Sequence, residues 1–161
     1  MSSTNNIAFT APINPPGTTP VLTLEQVWKG LLLKIRSAET FVPGAIQSTK
    51  VISDSVDPLT GYPVTVRDVL FRETQKTVQE TVTAFEPTRV DFEQLGGSKI
   101  SNVISQGAGR ELYMTYIFEW RHHGISKEEL AVLFDKENKM SQMAVEGTIK
   151  VLRQLVEEEK L

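Results

Sequence analysis

The sequence predicts an α+β protein in which one curved antiparallel sheet of about seven strands wraps around a long C-terminal helix, an architecture called helix-grip. Residues 46–120 have a β-type texture that is punctuated by glycine and proline. The connections between the predicted strands are short, which requires antiparallel neighbours. Residues 126–157 follow with one long helical pattern. The rival architecture is a cone-shaped α+β barrel, and the C-terminal helix argues against it because such barrels tend to end on strands.

The N-terminal segment is predicted to contain one strand and one loop. Residues 1–6 are polar, and we expect them to be disordered. Residues 7–13 are predicted as a short strand, and NPPGTTP at residues 14–20 is a loop rich in proline. The chain of 161 residues has the size of one ordinary domain and contains no repeats, so we interpret residues 1–161 as a single domain.

Two helices are predicted next. Thr23 opens the first helix, because Gln26 stands three residues later, as a capping box requires. The apolar stripe of this helix has the expected spacing and consists of Leu24, Val27, Trp28, Leu31, Leu32 and Ile35. A short second helix over residues 37–42 ends before Pro43-Gly44.

Six strands and one helix complete the chain. The strands are predicted over residues 46–53, 62–72, 77–85, 88–95, 99–106 and 111–120. The last helix opens at Ser126, where Glu129 completes a second capping box, and extends to about residue 157. Roughly 30 residues at about 1.5 Å each give it a length of about 45 Å, longer than any of the strands.

Polar side chains are predicted to lie on surfaces that should form the core. Strand residues alternate between two faces, and residues on one face of a helix recur every three or four positions. On the inward faces these rules place Asp68, Glu80, Asn102, Glu137, Ser141 and Thr148. Arg72 is predicted on the same side. The apolar wall around them consists of Met114, Tyr116, Phe118, Trp120 and Phe134.

A hollow interior explains this pattern. A buried, unpaired carboxylate costs several kcal/mol, whereas a whole domain has a net stability of only about 5–15 kcal/mol. We therefore expect a ligand cavity between the sheet and the last helix. Three alternatives stay open. Arg72 could form a salt bridge with Glu80 and Asp68, Glu137 could tilt out of the helical stripe or meet a cation at a strand end, and the hydroxyls of Ser141 and Thr148 could bond back to helix carbonyls.

Composition excludes several classes of function. A net charge of −3 argues against a nucleic-acid partner, which would favour a basic face. No apolar run approaches the roughly 20 residues of a membrane span, and the N-terminus is not a secretory signal, so we expect a cytoplasmic protein that does not bind membranes. The absence of cysteine excludes thiolate nucleophiles and cysteine-ligated metals. The oligomeric state stays open, with a homodimer as one option.

Any catalysis must then rest on carboxylates, hydroxyls, a tyrosine or a histidine, with no metal and no cofactor. His122 and His123 would point in opposite directions on a strand, so they are a poor metal pair and are interpreted as surface loop, although one of them could be a general base. A carboxyl group in an apolar cavity has a raised pKa, which makes Glu80, Asp68 and Glu137 the candidate catalytic residues. The candidate substrate-binding residues are Arg72, Asn102, Met114, Tyr116, Phe118, Trp120, Phe134, Ser141 and Thr148.

Two stretches of the chain resemble a known family. TLEQVWKGLLLKIRSAETFVPG, residues 23–44, and SKISNVISQGAGRELYMTYIFEW, residues 98–120, are similar to the AtaL-like family of fungi and bacteria, formerly a domain of unknown function. That family belongs to the START-like, birch-pollen-allergen superfamily of helix-grip proteins. The resemblance covers about residues 7–155 and implies a pocket for a hydrophobic small molecule in specialised metabolism, with a fungal biosynthetic cluster as the setting of the family's namesake. No functional residue is carried over from it.

Three functions fit these observations, and they are given in order of preference. The first is a cofactor-independent cyclase, isomerase or lyase that acts by acid–base catalysis on a hydrophobic natural-product intermediate in secondary metabolite biosynthesis. The second is a carrier that binds and shields a hydrophobic metabolite without changing it. The third is a protein-interaction module, which would need a large exposed apolar patch that the sequence does not indicate.

Overall fold

The computed structural model describes residues 3–161, which form seven strands and three helices. In chain order these are β1 (Thr4–Pro12), α1 (Leu24–Arg36), α2 (Ala38–Phe41), β2 (Ile46–Val56), β3 (Pro63–Phe71), β4 (Thr77–Phe85), β5 (Arg89–Gln94), β6 (Lys99–Gln106), β7 (Leu112–Arg121) and α3 (Lys127–Glu157). All strand pairs are antiparallel, in the order β1-β7-β6-β5-β4-β3-β2. The predicted helix-grip architecture, a seven-stranded curved sheet with a long C-terminal helix, is confirmed.

The first strand begins three residues before its predicted start. Thr4 pairs with Arg121 and Asn5 pairs with Trp120 in the ladder between β1 and β7. Residues 4–6 therefore do not have the disorder expected from their polar composition, because backbone hydrogen bonds to β7 hold them in the sheet. Residues 1 and 2, which share that expectation, lie outside the described part of the chain.

Both predicted capping boxes are present and fix where the long helices start. The Thr23 hydroxyl accepts from the backbone N–H of Gln26, whose side chain accepts from the backbone N–H of Thr23. Ser126 and Glu129 make the same reciprocal pair at the start of α3. The four bonds satisfy backbone donors that helix starts otherwise leave open, so local sequence is sufficient to set these boundaries.

Helix α1 packs closely against the C-terminal half of α3. A Cβ atom at Gly30 would collide with the Leu152 side chain, so only glycine permits this approach. Trp28 is 5% exposed on the packed face. The predicted stripe needs one correction, because Leu32 is 38% exposed whereas Lys34 is 7% exposed and lies on the packed side.

The buried face of β3 is opposite to the predicted one. Thr65, Arg67 and Val69 are buried, whereas Asp68 lies on the other face beside Gln79. The inner faces of β4, β6 and β7 agree with the prediction, and their buried residues include Glu80, Val82, Asn102, Ile104, Met114, Tyr116 and Phe118. Within residues 3–161 no helix has the length and apolar character needed to cross a membrane.

Candidate functional site

The inner face of the sheet is less closed at one end than at the other. β4 and β6 begin at this end, β5 and β7 finish there, and α3 starts beside it. Phe134 lies within the inward stripe of α3 and is nevertheless 41% exposed. The inward-facing strand residues at this end are only partly buried, unlike their neighbours deeper in the sheet. We call this region the open end and define it by Val78, Gln94, Ile100, Trp120 and Phe134.

A buried ion pair between Glu80 and Arg67 lies deeper on the inner face. Arg67 Nε and Nη2 donate to Glu80 Oε1 at 3.0 and 2.7 Å, and Gln94 Nε2 donates to Oε2 at 3.0 Å. Each side chain of the ion pair is 4% exposed. Arg67 Nη1 also donates to two carbonyl oxygens in the last turn of α1. Glu80 thus forms a salt bridge, as that alternative predicts, but its partner is Arg67 and not Arg72.

Two predicted site residues lie outside the interior. Arg72 follows β3, and its Nε donates to the carbonyl oxygen of Pro43 at 2.9 Å on the exposed surface. Asp68 faces outward because the register places it opposite Gln79, whose side chain donates to it at 3.4 Å. The predicted inward positions of Arg72 and Asp68 are therefore wrong, and both follow from the reversed face of β3.

Lys34 is a buried cation that is not among the predicted site residues. Its Nζ donates to Asn102 Oδ1 at 2.7 Å and lies 5.1 and 4.7 Å from the ring centroids of Phe92 and Tyr116. Burial lowers the pKa of Lys34 from 10.5 to about 7, with a further lowering by the nearby Arg67 charge and an opposing effect of Glu80. An amine with this pKa can gain or lose a proton near neutral pH.

A signal for Lys34 was present in the sequence. The residue stands seven positions after Val27 and three after Leu31, both of which belong to the apolar stripe of α1. A lysine on such a stripe is normally assumed to extend its ammonium group to the surface. Here the ammonium group stays inside because an amide oxygen and two aromatic rings surround it.

Asn102 lies at the centre of the buried cluster and is 0% exposed, on the face predicted for it. Its Oδ1 accepts from Lys34, which fixes the orientation of the amide. Its Nδ2 has no hydrogen-bond partner among the described residues. An unpaired buried N–H group costs about 1–3 kcal/mol, so a further hydrogen-bond acceptor beside Asn102 Nδ2 would be favourable.

The remaining predicted residues form the wall between β7 and α3. Tyr116 donates from its hydroxyl to Thr148 Oγ1 at 2.7 Å, and burial raises the pKa of Tyr116 above its ordinary value. Ser141 is buried and donates to the carbonyl oxygen of Asn138, as the alternative interpretation predicts. Met114 and Phe118 belong to the hydrophobic core, where the ring of Phe118 stacks on that of Trp120 at 4.4 Å.

A carboxylate–histidine pair lies at the open end. Glu137 of α3 is 5% exposed, and both its carboxylate oxygens are 3.0 Å from His122 Nε2. Asn5 Nδ2 donates to Glu137 Oε1 at 2.7 Å and so fixes the carboxylate from the side of β1. His122 follows the last residue of β7, as the loop interpretation predicts, but its side chain is half-buried against Glu137, so the surface part of that interpretation is wrong. His123 is exposed, and its Nε2 contacts the carbonyl oxygen of Gly96. The surface-loop interpretation is therefore correct for His123.

Two surface clefts lie apart from these residues. One of about 490 Å³ is formed by residues 14–24 and the turn between β6 and β7. The other, of about 480 Å³, lies on the first turns of α3 and is lined by Ile125, Glu128, Glu129, Val132 and Leu133. Neither cleft is lined by a predicted site residue or by Lys34. No group of three His, Asp or Glu side chains among residues 3–161 is arranged to hold a metal ion.

Comparison with known proteins identifies the family and the fold. Residues 7–159 match the family model AtaL, described as acetylaranotin biosynthesis cluster protein L. No curated protein sequence matches the chain.

Three solved structures illustrate the fold. The Zhui aromatase/cyclase from Streptomyces sp. R1128 is 15% identical, with 95% of this chain and 96% of that chain covered and a TM-score of 0.59. Ara h 8.0201 is 15% identical, with coverages of 96% and 99% and a TM-score of 0.57. The di-domain ARO/CYC StfQ of the steffimycin biosynthetic pathway is 6% identical, with coverages of 97% and 52% and a TM-score of 0.62. These similarities confirm the helix-grip fold.

Proposed function

This chain belongs to the AtaL family, and we propose that it is a cofactor-independent enzyme that acts by acid–base catalysis on a small, mostly apolar natural-product intermediate. The observation that carries this proposal is the contact of Glu137 with His122 on the inner surface of the open end. A family described by a biosynthesis cluster and two structural neighbours called aromatase/cyclases support cyclisation as the first reaction to test. Isomerisation and elimination need the same proton transfers.

His122 is the proposed general base. Glu137 holds its Nε2, and Nδ1 has no hydrogen-bond partner in residues 3–161. A carboxylate in this position orients an imidazole and stabilises its protonated form. Nδ1 removes a proton from a carbon beside a carbonyl group, and the resulting enolate carbon attacks a second carbonyl carbon of the same molecule. The ring closes through the new C–C bond, and the alkoxide takes the proton back from His122.

The other predicted acids have different roles in this proposal. Both oxygens of Glu80 are occupied by Arg67 and Gln94, so Glu80 positions Arg67 and does not transfer protons. Asp68 faces away from the interior and has no role. The apolar wall, which includes Phe118, Trp120 and Phe134, would bind the hydrocarbon part of the substrate.

The second candidate function is that of a carrier. The pairing of Glu80 with Arg67 and Gln94 supports a carrier. An interior whose central carboxylate is fully paired can hold a metabolite without changing it chemically. A carrier requires affinity and protection from solvent, but it does not require His122 to exchange protons.

One complementation experiment separates the two functions. A strain that lacks this gene receives wild type, His122→Gln, Glu137→Gln or the exposed control His123→Gln, and the metabolites are measured by mass spectrometry. For an enzyme we expect His122→Gln and Glu137→Gln to lower product formation by about 100-fold or more and to accumulate one precursor. His123→Gln should restore wild-type amounts.

The outcomes are distinct. Product restored equally by all four proteins would refute acid–base catalysis and favour the carrier. Thermal unfolding of each purified variant, which needs no substrate, separates loss of activity from loss of folding. The cytoplasmic location, the fungal setting and a homodimeric state stay predictions.

A further inference from the structure

When Lys34 is protonated, the buried cluster contains more positive than negative charge. Lys34 and Arg67 are both buried, and in the described part of the chain Glu80 is the equally buried carboxylate that interacts with both charges. Glu80 is already committed to Arg67. Glu39 also interacts with the Arg67 charge, but it is half-buried and accepts a hydrogen bond from the Thr49 hydroxyl. Among residues 3–161, Lys34 therefore has no carboxylate of its own, and its ammonium group contacts an amide oxygen and two aromatic rings.

The Lys34–Asn102 pair also lacks a hydrogen-bond acceptor. Asn102 accepts from Lys34 through Oδ1, while the N–H groups of its Nδ2 have no partner in the described chain. An unpaired donor and an uncompensated cation on one buried pair are each costly. One negatively charged oxygen atom beside the pair would satisfy both.

We propose that Lys34 and Asn102 bind an acidic hydroxyl group of the ligand, a phenol or an enol, and that Lys34 holds it as the oxyanion by accepting its proton. This inference rests on the proposed function in one respect, namely that the interior takes up a small molecule. It assigns the oxyanion end of that molecule to the buried end of the site, opposite His122 at the open end.

A hydroxyl group fits this position better than a carboxylate does. A carboxylate would have to lose its hydration while charged, which is expensive. A phenol or enol enters neutral, and the neutral amine of Lys34 then accepts its proton, so that the O–H bond breaks as an N–H bond forms. The products are an ammonium group and an oxyanion in contact, and no other reagent is needed. A pKa of about 7 leaves much of the Lys34 amine unprotonated near neutral pH.

The test compares 2-naphthol with its methyl ether, 2-methoxynaphthalene, which has no acidic proton. Both are titrated into the protein at about pH 7.5, just above the pKa of about 7 of Lys34. We expect the wild type to bind 2-naphthol at least about tenfold more tightly than the ether, the ratio that one charge-assisted hydrogen bond provides. The absorption of bound 2-naphthol should show the red-shifted band of naphtholate, although free 2-naphthol is neutral under these conditions.

Three variants define the site. Lys34→Met should bind both probes equally and show no naphtholate band. Lys34→Gln keeps a polar side chain if the methionine variant does not fold, and it should bind 2-naphthol in the neutral form. Lys29→Met, on the exposed side of the same helix and paired with Glu25, should behave as wild type.

Two results would overturn the inference. Equal affinity of wild type for both probes, or bound 2-naphthol without the naphtholate band, would refute the oxyanion site while the complementation result for His122 still stands. Failure of wild type to bind either probe would refute the oxyanion site and also the apolar pocket on which the proposed function depends.

Discussion

Lys34 carries its charge in one of the least hydrated parts of the protein, and the cost of that charge depends on pH. Below about pH 7 Lys34 is protonated in both the folded and the unfolded chain, so the full cost of burying the ammonium group is present. Between the folded pKa of about 7 and the ordinary value of 10.5, the unfolded chain binds a proton that the folded chain does not. Stability therefore rises with pH across this interval.

We expect Lys34→Met to remove this rise. The free energy of unfolding of wild type, relative to the variant, should increase above about pH 7 by up to about 1.4 kcal/mol per pH unit. Of the groups that face Lys34, Arg67 is paired with Glu80, and burial raises the pKa of the Tyr116 hydroxyl, which stays protonated. Urea unfolding at several pH values between about 6 and 9.5 measures the effect. A difference that stays constant with pH would contradict it, and Lys29→Met serves as the exposed control.

Arg67 explains why part of the site could not be predicted from the sequence. The rule that apolar residues face inward favours Val64, Val66 and Leu70 over the alternate set, so it places Arg67 outside. Only the pairing of β3 with β4, which puts Arg67 directly opposite Glu80, reverses that choice. The inward position of Arg67 is therefore determined by Glu80, a residue on another strand, and not by the local apolar pattern.

The helices and their boundaries were more predictable, because capping boxes are local. The start of α1 at Thr23 and that of α3 at Ser126 depend on residues within three positions. The close approach of α1 to α3 is not local, and nothing near Gly30 in the sequence indicates that its missing side chain makes room for Leu152. The spacing of the two helices therefore could not be predicted from the local sequence.

Two alanine substitutions test this approach. Gly30→Ala should lower the free energy of unfolding by about 1–3 kcal/mol, because its Cβ overlaps the fully buried Leu152. Gly147→Ala is the matched control within α3, where the new Cβ would have only an ordinary contact with the carbonyl oxygen of Phe41 at 3.7 Å.

We expect the control to be neutral or to stabilise by up to about 1 kcal/mol through helix propensity. Chemical denaturation measures both variants. Equal effects of the two substitutions would show that α1 moves aside without cost.

At the scale of the whole molecule, the order from β2 to β7 followed from short connections, whereas the place of β1 beside β7 and the open end did not. The sequence predicts that the chain pairs neighbour with neighbour and that α3 crosses the sheet. Which end of the inner face stays uncovered depends on how far the sheet curves around the first turns of α3, and no local pattern encodes that. The alternation rules assign Phe134 and Phe118 equally to the interior, yet the two are 41% and 6% exposed.

The pair Phe134 and Phe118 tests the open end. Phe134→Ala should lower the free energy of unfolding by less than about 1 kcal/mol, whereas Phe118→Ala should lower it by about 3–5 kcal/mol. Phe134→Ala should nevertheless weaken the binding of 2-methoxynaphthalene if, as proposed, the ring belongs to the apolar wall that binds the substrate. If Phe134→Ala is as destabilising as Phe118→Ala, then α3 closes on the sheet at this end and ligands must enter elsewhere.

The chain has two tryptophans, and they occupy unequal positions in this architecture. Trp28 is packed between α1 and the core, whereas Trp120 is partly accessible at the open end. Their fluorescence therefore reports occupancy without any label. A soluble quencher such as acrylamide should reach Trp120 before Trp28. A bound ligand should shield the Trp120 indole from the quencher, while Trp28 supplies a constant internal reference in the same sample.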